Sequence, residues 1–206
     1  MSATSDMRAT HDMCASRASG APGATGATDA AVAPWRHRRR AAIATRLLHG
    51  APDAAATLDW EALDNGPDWL AAPDADLIRM QRRIGAFACA SAIRLWIDRR
   101  RIAEACAAVG DAVLREALAA RDAAQTAPPW PTTMPEPGGD VAEGLRTTGA
   151  AVQAAAVADT ALGRTVALAL CGCADGALPM APAVARDVVA RAAGVGVAAS
   201  AAETVR

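Results

Sequence analysis

The segment that decides the fold is DADLIRMQRRIGAFACASAIRLWI, residues 74–97. Leu77, Met80, Ile84, Phe87, Ser91 and Leu95 recur in it at steps of three and four residues, and Ile78, Ile93, Trp96 and Ile97 widen the stripe. Arg79, Arg82, Arg83 and Arg94 take the opposite face. That period belongs to an α-helix with one broad apolar side, wide enough to be a core element. Pro73 and Asp74 supply a start signal, with Asp74 as the expected N-cap.

Helical signals continue on both sides. Asp98 is an expected N-cap for a following helix whose stripe is Ile102, Cys106, Val109, Val113 and Ala117. Gly110-Asp111 interrupts it, so residues 99–121 form one kinked helix or two short ones. Upstream, a short helix is predicted from Arg39 to His49, stopped by Gly50 with Pro52 beyond, and a second from about Ala54 to Leu63. Asp64-Asn65-Gly66-Pro67 is a turn signal. Downstream, residues 127–139 hold five prolines and end in Gly138-Gly139, which predicts an extended loop. Asp140 and Glu143 then have capping-box spacing, and helical sequence runs to about Cys173, with Gly144, Gly149 and Gly163 as its weak points. Pro182 suits the first position of a last helix, lined by Val184, Val188, Ala192 and Val195 and fading near Gly194 and Gly196. No stretch alternates like a strand. The expected fold is therefore all-α: about six helices in one domain over residues 35–206, behind a disordered tail at 1–34 that is rich in Ser, Thr, Gly and Ala.

Composition qualifies that core. Of the 206 residues, 58 are Ala, and Leu, Ile, Val and Phe together make only about 17% of the chain. Few large side chains imply modest stability, a trait that goes with proteins completed by partners. All 21 basic residues are Arg, which excludes Schiff-base lysines and a phosphate-loop Lys. The net charge of −1 gives no reason for the whole chain to be drawn to nucleic acid or anionic membrane. The start of the chain has no apolar run of a secretory signal, and the longest uncharged apolar stretches are about half a bilayer span. A cytoplasmic location is expected.

Residues able to carry chemistry are few. Three histidines, His11, His37 and His49, all precede residue 50, so a Ser-His or Cys-His pair would draw on the N-terminal part of the chain. The pairs Asp59/Glu61, Asp64/Asp68 and Asp74/Asp76 lie at turns and helix starts, where carboxylates satisfy free N–H groups. The odd set Cys14, Cys89, Cys106, Cys171 and Cys173 fits reduced thiols; Cys171-Gly172-Cys173 lacks a second ligand pair, so no metal and no cofactor are expected. Two basic runs stand out, Arg36 to Arg40 beside Trp35, and Arg99-Arg100-Arg101. Trp60, Trp69 and Trp96 are expected to cluster around the hairpin at 54–97 and to anchor its packing, whereas an exposed Trp beside Arg would instead be an interface hot spot. Trp69, Trp96, Arg99, Arg100 and Arg101 are the candidate partner-binding residues, since Trp and Arg dominate interface hot spots.

The order of elements from Trp69-Leu70 and Pro73, through Ile97-Asp98 and Ala108-Val109-Gly110, to Leu162-Gly163, Leu178-Pro179 and a closing helix resembles the SctK/YscK family of type III secretion accessory proteins, in its Hrp-type branch. The resemblance spans roughly residues 45–195. It implies an all-helical, non-enzymatic cytoplasmic adaptor of the sorting platform. Its partners would be the cytoplasmic domain of the inner-membrane ring protein and the pod, or C-ring, protein; no catalytic residue is carried over. Two other readings come from the residues themselves. One is a helical nucleic-acid-binding regulator using the Arg clusters, with salt-sensitive affinity. The other is an enzyme built on the acidic pairs or on Cys171 and Cys173.

Overall fold

Eight α-helices and three short 3-10 turns, with no strand, make up the residues that the computed structural model describes, 26–120, 139–172 and 180–203. The fold is all-α, as the periodicities predict. Helix α1 runs Gly26–Gly50, the 3-10 turns are Pro52–Ala56, Ala62–Asn65 and Asp68–Ala71, and α2 runs Asp74–Ala88. Then come α3 (Ala90–Ile93), α4 (Arg99–Val109), α5 (Asp111–Ala119), α6 (Val141–Ala156), α7 (Gly163–Cys171) and α8 (Pro182–Glu203). Residues 1–25 of the tail predicted at 1–34, and residues 127–138 of the Pro-rich loop predicted at 127–139, lie outside the described residues.

Local signals set most boundaries. The Asp98 carboxylate accepts the Arg100 N–H at 2.8 Å, and Asp140 accepts from Ala142 and Glu143 at 2.9 and 3.2 Å, which starts α4 and α6. The Glu143 carboxylate turns forward to Arg146 Nε at 2.8 Å rather than back to the cap. Gly110 separates α4 from α5 at φ +90°, a region that costs any other residue strain.

Other boundaries moved. Helix α1 begins at Gly26, ahead of the start expected near Trp35, so Pro34 lies inside it. The expected helix from Ala54 to Leu63 is absent. Leu58 and Leu63 are five residues apart and would face different sides of a helix, yet both are buried; the link after the first 3-10 turn delivers Leu58, and the next two turns deliver Leu63 and then Trp69 and Leu70, to the same core. The long helix over 74–97 breaks at Cys89 and ends at Ile93. The expected Asp74 cap shifts by one residue, with Pro73 in the cap position. The last helix does not fade near Gly194 but continues to Glu203.

The antiparallel pair α2–α6 is the spine, and three apolar clusters surround it. At one end Leu77 and Ala154 meet α1, the 3-10 turns and α7 through Ile43, Leu47, Leu63, Leu70 and Val166. At the other, Ala86, Val141 and Leu145 meet α3, α4 and α5. On a third side Ile84, Val152 and Ala156 meet α8 through Ala185, Val188 and Ala192. Small residues let the spine close. A Cβ on Gly85 would overlap the Leu145 carbonyl oxygen, and one on Gly149 would overlap that of Gln81.

Gln153, fully buried between these helices, offers its amide N–H to the Met80 sulfur at 3.6 Å, and its Oε1 has no partner among the described residues. A thioether is a weak acceptor, so this amide is poorly compensated. Gln153→Met is expected to raise stability by about 1 kcal/mol, read as a higher denaturant midpoint at unchanged m-value.

Candidate partner-binding site

The five candidate residues do not form one surface. Trp69 is 9% exposed and sits in the first core cluster with Ile43, Leu47 and Leu70, so its role is packing and it offers little face to a partner. Trp96 belongs to the second cluster, half-buried against its edge, while Trp60 is 48% exposed; the three tryptophans do not cluster. The other four candidates converge at the corner between α3 and α4. The Arg101 guanidinium lies over the Trp96 ring at 4.4 Å from its centroid, a cation–π contact that fixes both groups. Arg99 and Arg100 are exposed on the first turn of α4.

Two residues that the periodicity assigned to the core complete this corner. Leu95 is 82% exposed and Ile97 is 97% exposed. Side chains two apart on a helix point to nearly opposite sides, so Leu95 and Ile97 could not share one buried face. Asp98 also demands non-helical backbone at its own position to cap α4 (φ −77°, ψ 109°). These two signals together identify residues 95–97 as a connection. Arg94 anchors the corner from behind: its guanidinium donates to the carbonyls of Leu118 and Ala120, at 2.6–3.0 Å, at the end of α5.

The other basic run faces inward in part. Arg39 donates to the Asp68 carboxylate and to the carbonyls of Leu63, Asp64 and Gly66, and Arg40 pairs with Asp64 at 3.8 Å. Arg39 also lies 5.9 Å from the centroid of the exposed Trp35 ring. One of the three acidic pairs, Asp64/Asp68, is thereby engaged. Asp59 instead accepts the N–H groups of Glu61 and Ala62, as a turn cap, and Asp76 pairs with Arg79 at 2.8 Å. No group of three or more His, Cys, Asp and Glu among the described residues has the arrangement of a metal site. A cavity of about 500 Å³ opens beside Arg100. Its wall mixes Arg82 and Arg100 with Glu104 and Asp140, and so favours neither sign of ion.

Cys89 is buried, and desolvation pushes its thiol up to about 11, against a smaller opposing hydrogen bond with Thr148. The thiolate is the reactive form. Cys89 should therefore resist a disulfide reagent in the native protein at pH 8 and react only after unfolding, which mass mapping of modified peptides reads directly.

No helix among the described residues is long and apolar enough to cross a membrane. Comparison of the chain with models of known protein families, with curated proteins and with solved structures gave no match.

Proposed function

We propose that this chain is a non-enzymatic cytoplasmic adaptor of a bacterial type III secretion system, linking the inner-membrane ring protein to the pod protein of the sorting platform. The observation that carries a docking role is the exposure of Leu95 and Ile97 beside a fixed Trp96–Arg101 pair. Large apolar side chains next to Trp and Arg are what an interface anchor requires. The order of elements from Trp69 to the closing helix supports the particular system through its resemblance to the SctK/YscK accessory proteins. The nucleic-acid reading has less support, because Arg39 and Arg40 are committed to the chain's own turn at 63–68.

The test is affinity purification of the full chain from cells expressing its own secretion apparatus. Recovery of pod or ring protein is the expected result. Recovery of neither would refute the proposal, as would a gene neighbourhood without secretion ATPase and ring genes.

A further inference from the structure

We infer that the cavity between α2, α4 and the start of α6 binds a small zwitterion, with a carboxylate and an ammonium on a short aliphatic frame, as in a free amino acid or a dipeptide. Its volume of about 500 Å³ is in the range of small-molecule pockets. Arg82 reaches it from α2, Arg100, Glu104, Ala107 and Ala108 from α4, and Asp140 and Ala142 from the start of α6. Arg82 is the residue that asks for a ligand. It is half-buried, its Nε is buried without a hydrogen-bond partner, and it makes no ion pair among the described residues. Glu143 feels the Arg82 charge, yet its carboxylate is held by Arg146 at 2.8 and 2.5 Å. A buried donor on a charged group is costly to leave unpaired, and a bound acceptor relieves that cost. The Nε and the Nη beside it form the planar fork that takes a carboxylate.

The remaining wall selects a molecule of both signs over a bare anion. Glu104 Oε1 takes Arg100 Nε at 3.0 Å, and Asp140 Oδ1 caps α6. The second oxygen of each, Glu104 Oε2 and Asp140 Oδ2, has no partner among the described residues and is available to an ammonium. Two arginines and two carboxylates leave the wall neutral, which matches a ligand without net charge. The methyl groups of Ala107, Ala108 and Ala142 suit an aliphatic side chain. Arg83 has the same unpaired Nε, but the cavity that it lines with Met80 and Ala192 measures only about 210 Å³, too small to enclose such a ligand.

The experiment is titration of the full, isotope-labelled chain with L-leucine and, separately, with L-leucyl-L-leucine, followed by backbone amide shifts. Saturable shifts at Ala107, Ala108 and Ala142 with either probe are the expected result, and the tighter probe identifies the source. N-acetyl-leucine lacks the ammonium and leucine amide lacks the carboxylate, so each should bind at least tenfold more weakly. Arg82→Gln should lower the affinity at least tenfold, and Arg83→Gln should leave it unchanged. Glu104→Gln, at a side chain 40% exposed, should also lower it while circular dichroism stays the same. A ligand that ties three helices together should raise the denaturant midpoint as its concentration passes the Kd. Absence of saturable shifts with both probes would overturn the inference. So would unchanged affinity in Glu104→Gln, or equal binding of N-acetyl-leucine or inorganic phosphate, either of which marks a simple anion site. None of these outcomes depends on recovery of pod or ring protein, so the adaptor reading stands or falls separately.

Discussion

Replacing Gly85 or Gly149 with Ala should destabilise the fold by roughly 2–4 kcal/mol, although both glycines lie inside helices. Propensity alone argues the other way. In an unhindered helix interior, Ala is favoured over Gly by about 1 kcal/mol. The sign reverses because the obstacle at each position is backbone. The Cβ added at 85 would overlap the carbonyl of Leu145, and the one added at 149 would overlap the carbonyl of Gln81. A flexible side chain would swing away from such a contact, whereas a helix carbonyl moves only with its helix. The two sites are reciprocal, each glycine lying four residues after the residue whose carbonyl meets the other glycine. Either substitution therefore wedges the same α2–α6 crossing apart. That crossing is the one on which all three apolar clusters converge, so the loss spreads through the whole fold.

Chemical unfolding measures the effect, and Gly194→Ala is the control. Gly194 lies in α8 with nothing near the position of an added Cβ, so Ala there should add about 0.5–1 kcal/mol of stability. The double variant Gly85→Ala/Gly149→Ala should cost less than the two single losses combined, because the first wedge already opens the gap that the second needs. Stabilisation by Ala at 85 or 149, matching Gly194→Ala, would show that the crossing is not limited by backbone contact.

These glycines also show where the sequence was legible and where it was not. Gly110 could be recognised as a stop because its requirement is local: a positive φ between two helices. Asp98, Asp140 and Pro182 were legible for the same reason, since a cap or a first-turn proline is satisfied within three residues. Gly149, by contrast, stands in the sequence only as a weak point of a helix. Its purpose is a carbonyl 68 positions away, and nothing near it in the chain carries that information. At the candidate site, Trp96 and Arg99 to Arg101 were identifiable from residue type, and Leu95 and Ile97 were masked by a periodicity that ran past the true end of its helix. Trp69 carried both a packing and an interface reading because residue type alone does not separate a core tryptophan from an interface one; its burial favours packing. The arginines of α1 were harder still, since their acceptors are backbone carbonyls of a segment whose conformation has no periodic signature.

Arg46 is the sharpest case, and Arg46→Ala is expected to cost about 3 kcal/mol. Its guanidinium donates to the carbonyls of Leu70 and Ala72 and, at 2.7 Å, to the Asp74 carboxylate. Together with Arg39, one face of α1 thereby ties down residues 63–74. That segment has no helix longer than a 3-10 turn to satisfy its own carbonyls, yet it delivers the buried Leu63, Trp69 and Leu70 to the first core cluster. Removing the guanidinium leaves carbonyls unpaired beside a packed core and loosens the entry into α2. The ion pair is the smaller part of the effect, because the Asp74 side chain is 88% exposed. Asp74→Ala should therefore cost under about 1 kcal/mol, and Arg46→Met, which keeps the apolar stem, should cost nearly as much as Arg46→Ala. Arg46→Lys should fall between, since an ammonium cannot reproduce the planar fork that spans two carbonyls at once. If Asp74→Ala matched Arg46→Ala in a denaturant titration, the carboxylate and not the carbonyls would be what Arg46 holds. Limited proteolysis should show the same order, with cleavage within 51–73 rising most in Arg46→Ala. The exclusive use of Arg in this chain thus has a structural consequence, whatever its origin: Arg39, Arg46, Arg94 and Arg186 each bond to at least one main-chain carbonyl more than twenty residues away.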